Sequence, residues 1–454
     1  MSLFVNRLLN MKKIKVIGFD MDYTLVRYNT ELFEELTHSL ACKKLVSNFG
    51  YPEKTATLKF DINRTIGGLV LDRRNGNILK LSRFGKVKIS FNGLDMINYR
   101  KQTDLYQDLA IDLSGSDYKS LDTAFAISKG VLFAQLVQLK KEGLELPDFH
   151  QLSDDIEKSI DEVHQDGSLK KIVTSNFEKY VIKDPLVPKM LELYKGYGKK
   201  LMIITNSDFN YTKKLLDYAL NPYFKQYKNW EDIFDVVITL ADKPAFFQRP
   251  ARFLHIINDT GAMENHIGSV AQGIFQGGWF EKLQRDLGVH SWEILYLGDH
   301  IYGDVVSLKK QCGWRTALVL EDLEKEIEGI QKAAPLQNKI DKLTDEKNKL
   351  EKKINKMDIL KAEGQQIDRK KLDELYSETD KLNSQISELL GEYKNYFNPY
   401  WGEVLRAGSD ESRFADQVER YACIYMTRVS DLYNYSPRTY FRPARRTLPH
   451  EELN

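Results

Sequence analysis

Hydrophobic and polar positions fall into three textures along the chain. The first is a short, unbroken apolar run that stops abruptly at polar or charged residues. Val16-Ile-Gly-Phe19 gives way to Asp20-Met-Asp22-Tyr-Thr24, and Leu201-Met-Ile-Ile204 gives way to Thr205-Asn206-Ser207-Asp208. Val236-Val-Ile238 leads past Thr239 to Lys243, and Ile294-Leu-Tyr-Leu297 leads to Gly298-Asp299, with Asp304 close behind. Runs of this length predict strands buried on both faces, and the helical spacing between them predicts crossovers. The core therefore reads as α/β, built on a Rossmann-like parallel sheet, with Trp314 to Leu320 as one more strand. Ligands bind such sheets at the carboxyl ends of the strands, where all four polar termini are predicted to lie.

The second texture lies between the first and second core strands. Leu32, Leu36, Leu40, Leu45 and Phe49 predict a helix over 31–49, ending at Gly50-Tyr-Pro52. From Leu58 to Asn92 the segments are short and alternating, with Asn75-Gly76 as a hairpin signal. Helical spacing returns through Ser120 to Leu139 and Ser153 to Tyr180. The expected organisation is a core of residues 1–30 and 190–320, interrupted by an inserted α+β cap over 31–189.

The third texture, over 321–396, is dense in Lys, Glu and Asp. Leu336, Ile340, Leu343, Leu350, Ile354 and Met357 keep 3-4 spacing, Gly364 breaks it, and Leu372, Leu375, Leu382, Ile386 and Leu389 resume it. A coiled-coil-like helical hairpin with a narrow apolar stripe is predicted, suited to packing or self-association. Residues 397–454 are expected to pack on the core or at a subunit interface. Arg438, Arg442, Arg445 and Arg446 in that segment fit such a contact better than nucleic acid.

Composition narrows the function. A chain of 454 residues with net charge +1 has no overall drive toward nucleic acid or membrane. Three cysteines without metal spacing fit a reducing compartment, and the first ten residues lack signal-peptide anatomy. A soluble cytoplasmic protein is expected.

Candidate chemistry sits at the strand ends. Asp20 and Asp22 repel each other unless a cation lies nearby, and Mg²⁺ prefers such oxygen ligands together with substrate phosphate. Thr205, Asn206 and Ser207 offer hydroxyl and backbone donors to a phosphate, and Lys243 a balancing charge. Any one of these is commonly a cap or a solvated charge. The four in order predict a Mg²⁺-dependent phosphoryl-transfer site.

These motifs, Asp-x-Asp-x-Thr, the strand-end Thr, the Lys and Gly-Asp-x-x-x-Gly-Asp, resemble the haloacid-dehalogenase superfamily. GFDMDYTL, TNSD, DKPAFF, GDHIYGD, VHQDGSLK and RPARRTLPHE resemble more closely its cytosolic purine 5′-nucleotidases, which prefer IMP and GMP. The resemblance implies Asp20 as nucleophile and Asp22 as general acid and base. It implies phosphate binding by Thr205, Asn206, Ser207 and Lys243, and Mg²⁺ held by Asp20, the Asp22 carbonyl, Asp299 and Asp304. It further implies Phe125 stacked on the purine, with Asp161, His164 and Lys170 contacting base, ribose or phosphate. Tyr302, Lys310, Gln417, Arg420 and Tyr421 fall near effector-site positions. Phosphotransfer to nucleosides and a homodimer or homotetramer are also implied. One departure stands out: Glu157 occupies the position of a family arginine. An ionised carboxylate cannot donate to the purine 6-oxo group. Glu157 thus keeps open a phosphatase of another phosphomonoester, such as a sugar phosphate or a modified nucleotide. An inactive scaffold is disfavoured, since Asp20 and Asp22 are both present.

Overall fold

The computed structural model describes residues 3–109 and 111–451, apart from the side chains of Ala124 and Pro449. Residues 1–2 and 452–454, in the first and last expected segments, and residue 110, in the inserted one, lie outside the described residues. The chain divides into two units, Met1–Asp322 with Val404–Asn454, and Leu323–Glu403.

The larger unit is built on a 10-stranded sheet. Its order is Leu3–Val5, Ile424–Met426, Arg315–Val319, Ile294–Gly298, Val16–Phe19, Lys200–Ile204, Val236–Thr239, Gly273–Gly277, Phe253–Ile256 and Met263–Asn265. All pairs from Ile424–Met426 to Gly273–Gly277 are parallel, and the outermost strands at both edges are antiparallel. The unbroken apolar runs have a direct cause. Ile17, Phe19, Leu201, Ile203, Leu295 and Leu297 pack into one core, while Val16, Met202, Ile204, Ile294 and Tyr296 pack into another on the opposite face. Both faces being dry, alternation has no reason to appear.

From Val16–Phe19 the chain reaches Lys200–Ile204 on one side and later Ile294–Gly298 on the other. The strand order thus reverses at Val16–Phe19, and Asp20 and Asp22 follow directly from that switch point.

The segment between the first two central strands carries helix Thr30–Phe49 and a 5-stranded antiparallel sheet. Helices Ile127–Lys141 and Phe149–Gln165 follow. Helical spacing predicted a helix from Ser120 onward. Instead, Tyr118–Leu121 is a strand pairing antiparallel with Leu69–Asp72, and the helix begins at Ile127. The pairing partner is far away in sequence, so local spacing carries no trace of it. The expected helical stretch over 153–180 is broken at Gly167, in the left-handed region at φ 79°, and at Asn176.

The smaller unit is a pair of helices, Leu323–Ala362 and Arg369–Lys394, separated by Gly364 at φ 80°. Leu350, Ile354, Leu372 and Leu375 form its buried seam, with Met357 and Leu382 against them. Among the described residues no helix is long and apolar enough to cross a membrane.

Candidate active site

The Asp20 backbone N–H donates to the Leu297 carbonyl at 2.8 Å, extending the ladder one residue past the strand. The chain then turns tightly, with the Val26 N–H donating to the Met21 carbonyl at 3.0 Å. Tyr23 sits in the left-handed region at φ 54°, a strained position for a bulky aromatic. That turn aims Asp22 inward. Its Oδ1 accepts from the Tyr28 hydroxyl at 2.5 Å and its Oδ2 from the Ser207 hydroxyl at 2.8 Å. The Tyr28 oxygen lies 2.9 Å from that of Tyr211.

Lys243 is held from two directions. Its backbone N–H donates to Asn206 Oδ1 at 2.7 Å, and Asn206 Nδ2 donates to its carbonyl at 3.1 Å. The preceding Leu240 and Asp242 are also left-handed, at φ 41° and 59°. Its ammonium lies 2.9 Å from Asp20 Oδ1 and 2.7 Å from Asp304 Oδ1, and donates to the Tyr296 hydroxyl at 3.2 Å. Burial pulls the Lys243 pKa down, but the charges of Asp20 and Asp304 outweigh it and leave the amine firmly protonated.

Gly298 brings Asp304 close. A Cβ there would lie 2.4 Å from the Asp304 carboxyl carbon, so only glycine fits. Asp20, Asp299 and Asp304 each offer an oxygen within 4.8 Å of the others. Asp299 Oδ2 is buried without a hydrogen-bond partner among the described residues. Burial and the neighbouring charges of Asp20 and Asp304 push the Asp299 carboxyl well above its usual range. Asp20 is pushed up to about 6, by burial first, with Lys243 opposing. An orphaned buried oxygen among three crowded carboxylates fits a hard divalent cation such as Mg²⁺. The Asp22 carboxylate is not in this cluster, because Tyr28 and Ser207 engage it. Burial and the charge of Asp20 raise Asp22 to about 6, where it exchanges a proton readily near neutrality.

Thr205 is buried, and its Oγ1 accepts from the Ser207 N–H at 3.0 Å. Of the expected phosphate ligands, the Asn206 side-chain amide clamps the Lys243 backbone, and the Ser207 hydroxyl donates to Asp22.

Phe125 packs edge-on against Tyr23 at 4.7 Å and against His164 at 5.5 Å between ring centroids. The Lys170 ammonium lies 2.6 Å from Asp208 Oδ2 and 5.3 Å from the Tyr211 ring centroid. Burial, then Lys170, lowers His164 to about 4, so its imidazole is neutral. Asp161 is exposed on the same helix. Among the expected effector residues, the Lys310 ammonium lies 5.5 Å from the Tyr421 ring centroid, while Arg420 pairs with Asp416 at 2.9 Å. Gln417 Oε1 is buried without a partner among the described residues, and Tyr302 is exposed. Tyr28, Tyr211 and Tyr296, which orient Asp22 and Lys243, were not anticipated. Tyr296 carried a signal, being the one polar-tipped residue in its apolar run; Tyr28 and Tyr211 carried none.

A sequence model described as the 5′ nucleotidase family matches residues 3–453. A 5′-nucleotidase domain-containing protein of Dictyostelium discoideum is 28% identical over 460 residues, covering 99% of this chain and 75% of the relative. A crystal structure of a predicted phosphoglycolate phosphatase of Haemophilus somnus matches at 15% identity and a TM-score of 0.31, covering 68% of this chain and 85% of that one. The magnesium-bound HAD-hydrolase YfnB of Bacillus subtilis matches at 15% identity and a TM-score of 0.20, covering 67% and 88%. Structural likeness this low bears on neither site nor substrate. The family match spans nearly the whole chain, strand ends with their carboxylates and lysine included, and this enzyme belongs to the 5′ nucleotidase family.

Proposed function

We propose that the protein is a Mg²⁺-dependent hydrolase of purine nucleoside 5′-monophosphates working through an aspartyl-phosphate. The observation that carries the reading is the Asp20–Lys243–Asp304 ion-pair chain beside the orphaned Asp299 oxygen. Asp20, Asp299 and Asp304 would hold the cation, whose contribution is charge neutralisation that lets a dianionic phosphate approach a carboxylate.

Asp20 attacks phosphorus, forming the Asp20 Oδ–P bond as the bond to the ribose 5′-oxygen breaks. The departing oxygen takes its proton from Asp22, whose raised pKa keeps a protonated fraction near neutral pH. Asp22, then ionised, removes a proton from water as that water attacks phosphorus, releasing phosphate and regenerating Asp20. Tyr28 and Ser207 fix the carboxyl of Asp22, and Lys243 balances the charge shared by Asp20 and the phosphoryl group. A nucleoside hydroxyl taking the place of water turns hydrolysis into phosphotransfer.

The purine assignment is supported by Phe125, which offers a ring beside His164 and beside Tyr23, the residue next to Asp22. The test is a panel of IMP, GMP, AMP, sugar phosphates and p-nitrophenyl phosphate, each assayed with Mg²⁺ and with EDTA. Preference for the 6-oxopurine monophosphates, lost in EDTA, supports the reading; equal turnover of sugar phosphates refutes it.

A further inference from the structure

Glu157 does not stand alone. Residues 157, 161 and 164 recur at i, i+4 and i+7 on helix Phe149–Gln165 and therefore share one face. Helix Ile127–Lys141 and the turn before it pack against that helix. Two contacts bridge the pair: Phe125 meets His164, and one turn further on the Lys129 ammonium lies 2.8 Å from Glu157 Oε1. Lys119, from strand Tyr118–Leu121, approaches the other Glu157 oxygen and also pairs with Asp154 at 2.9 Å. The position where the family resemblance leads one to expect a cation thus holds an anion, and the cation comes from the facing helix.

The sequence of groups leads outward from the catalytic centre. Tyr23, next to Asp22, touches Phe125; His164 stands beside Phe125; Asp161 follows, and Lys129 with Glu157 comes last. Asp161 and Lys129 are near enough for each to perturb the other's charge. The Lys129 side chain is only 12% exposed, whereas that of Glu157 is 40% exposed. Such a pair returns little stability for its desolvation, so its location calls for another explanation.

A purine edge supplies one. A 6-oxopurine presents an acceptor at O6 and a donor at N1–H, whereas adenine presents a donor at N6 and an acceptor at N1. An ammonium carries three donors and no acceptor, and an ionised carboxylate only acceptors. With one Lys129 hydrogen directed to Glu157, others are left for O6, and the Asp161 carboxylate matches N1–H. Against adenine both contacts oppose like with like.

We propose that Lys129 is the specificity-determining residue that reads the 6-oxo group of the base, with Glu157 holding its ammonium in position. The proposal rests on the purine reading given above and deepens it: Lys129 supplies the donor that Glu157 cannot.

The experiment compares kcat/KM for IMP, AMP and p-nitrophenyl phosphate in the wild type, Lys129→Met, Glu157→Gln, and the double variant Lys129→Glu with Glu157→Arg. Lys129→Met keeps the side-chain length, and Lys119 remains to pair with Glu157. Its loss with IMP is expected to exceed its loss with p-nitrophenyl phosphate by about tenfold or more, chiefly in KM, with the IMP-to-AMP ratio falling toward unity. Glu157→Gln retains the 6-oxo preference, and the double variant recovers most of what Lys129→Met loses. An unchanged IMP-to-AMP ratio in Lys129→Met overturns the proposal alone. Equal losses on IMP and p-nitrophenyl phosphate overturn it too, as they mark a structural role. A wild type that cleaves p-nitrophenyl phosphate but no purine monophosphate overturns both this proposal and the substrate reading.

Discussion

Replacing Lys243 by Met removes the one cation that lies between two buried carboxylates. Its ammonium is 2.9 Å from Asp20 and 2.7 Å from Asp304, and the three side chains are at most 12% exposed. At an effective dielectric of about 20, each contact is worth roughly 6 kcal/mol of gross attraction, offset by several kcal/mol for desolvating the amine. Deleting one member of a buried pair typically costs about 3–5 kcal/mol, because its partner stays buried and unneutralised. The Lys243→Met variant is therefore expected to lose about that much stability in urea unfolding at pH 7 in EDTA. The pH dependence has a definite sign. Without Lys243, the raised folded-state pKa of Asp20 rises further, so the deficit is full above it and shrinks as pH falls and that carboxyl protonates. Adding Mg²⁺, which supplies charge to the same carboxylates, stabilises the variant more than the wild type. Turnover with IMP is expected to fall by about 10²–10³-fold. A stability loss under about 1 kcal/mol that varies with neither pH nor Mg²⁺ would refute the reasoning.

Further outcomes follow from the same contacts. Asp22→Asn blocks water activation but not attack by Asp20, so p-nitrophenyl phosphate, whose leaving group needs no proton, is expected to give a stopped-flow burst of about one equivalent and then a phase slowed by about 10²–10⁴-fold. No burst would remove Asp22 from the second step. Phe125→Ala is expected to raise KM for IMP by about tenfold, corresponding to the lower end of base stacking, and to affect p-nitrophenyl phosphate less; equal losses exclude stacking. Glu34 is fully buried, with its carboxyl pushed up to about 7 by burial. Its folded pKa lies above the unfolded value, so the ionisation penalty is absent below about pH 4.5, grows through 7 and is complete above. Glu34→Gln is therefore expected to gain up to about 3 kcal/mol over the wild type in denaturation at pH 8, with little gain at pH 5; an equal gain at both pH values contradicts the titration account.

What the sequence displayed was the part of the site written by local rules. An apolar run that ends in Asp, Thr or Gly-Asp is visible without a partner strand, which is why Asp20, Thr205 and Asp299 were legible. Lys243 was legible for the same reason, four residues beyond Thr239. What stayed hidden depends on non-local contact. Nothing near Tyr28 shows that its hydroxyl will reach Asp22, since the approach depends on the left-handed turn at Tyr23. Strands Phe253–Ile256, Gly273–Gly277 and Ile424–Met426 are short, and two of them contain polar residues, so only pairing in the sheet defines them. The grip of the Asn206 side-chain amide on the Lys243 backbone was hidden for the same reason, its partner lying 37 residues away. Lys129 drew no attention in the sequence, because only the packing of the facing helix brings Glu157 to it.

The central claim is that Asp20 itself carries the phosphoryl group between the two halves of the reaction. Acid quenching of the enzyme during steady-state turnover of IMP with Mg²⁺, followed by peptide mass mapping, reads that directly. The account predicts a phosphoryl adduct on the peptide containing Asp20, localised to that residue and absent from Asp20→Asn. Turnover with no adduct, or an adduct on any other residue, would contradict it.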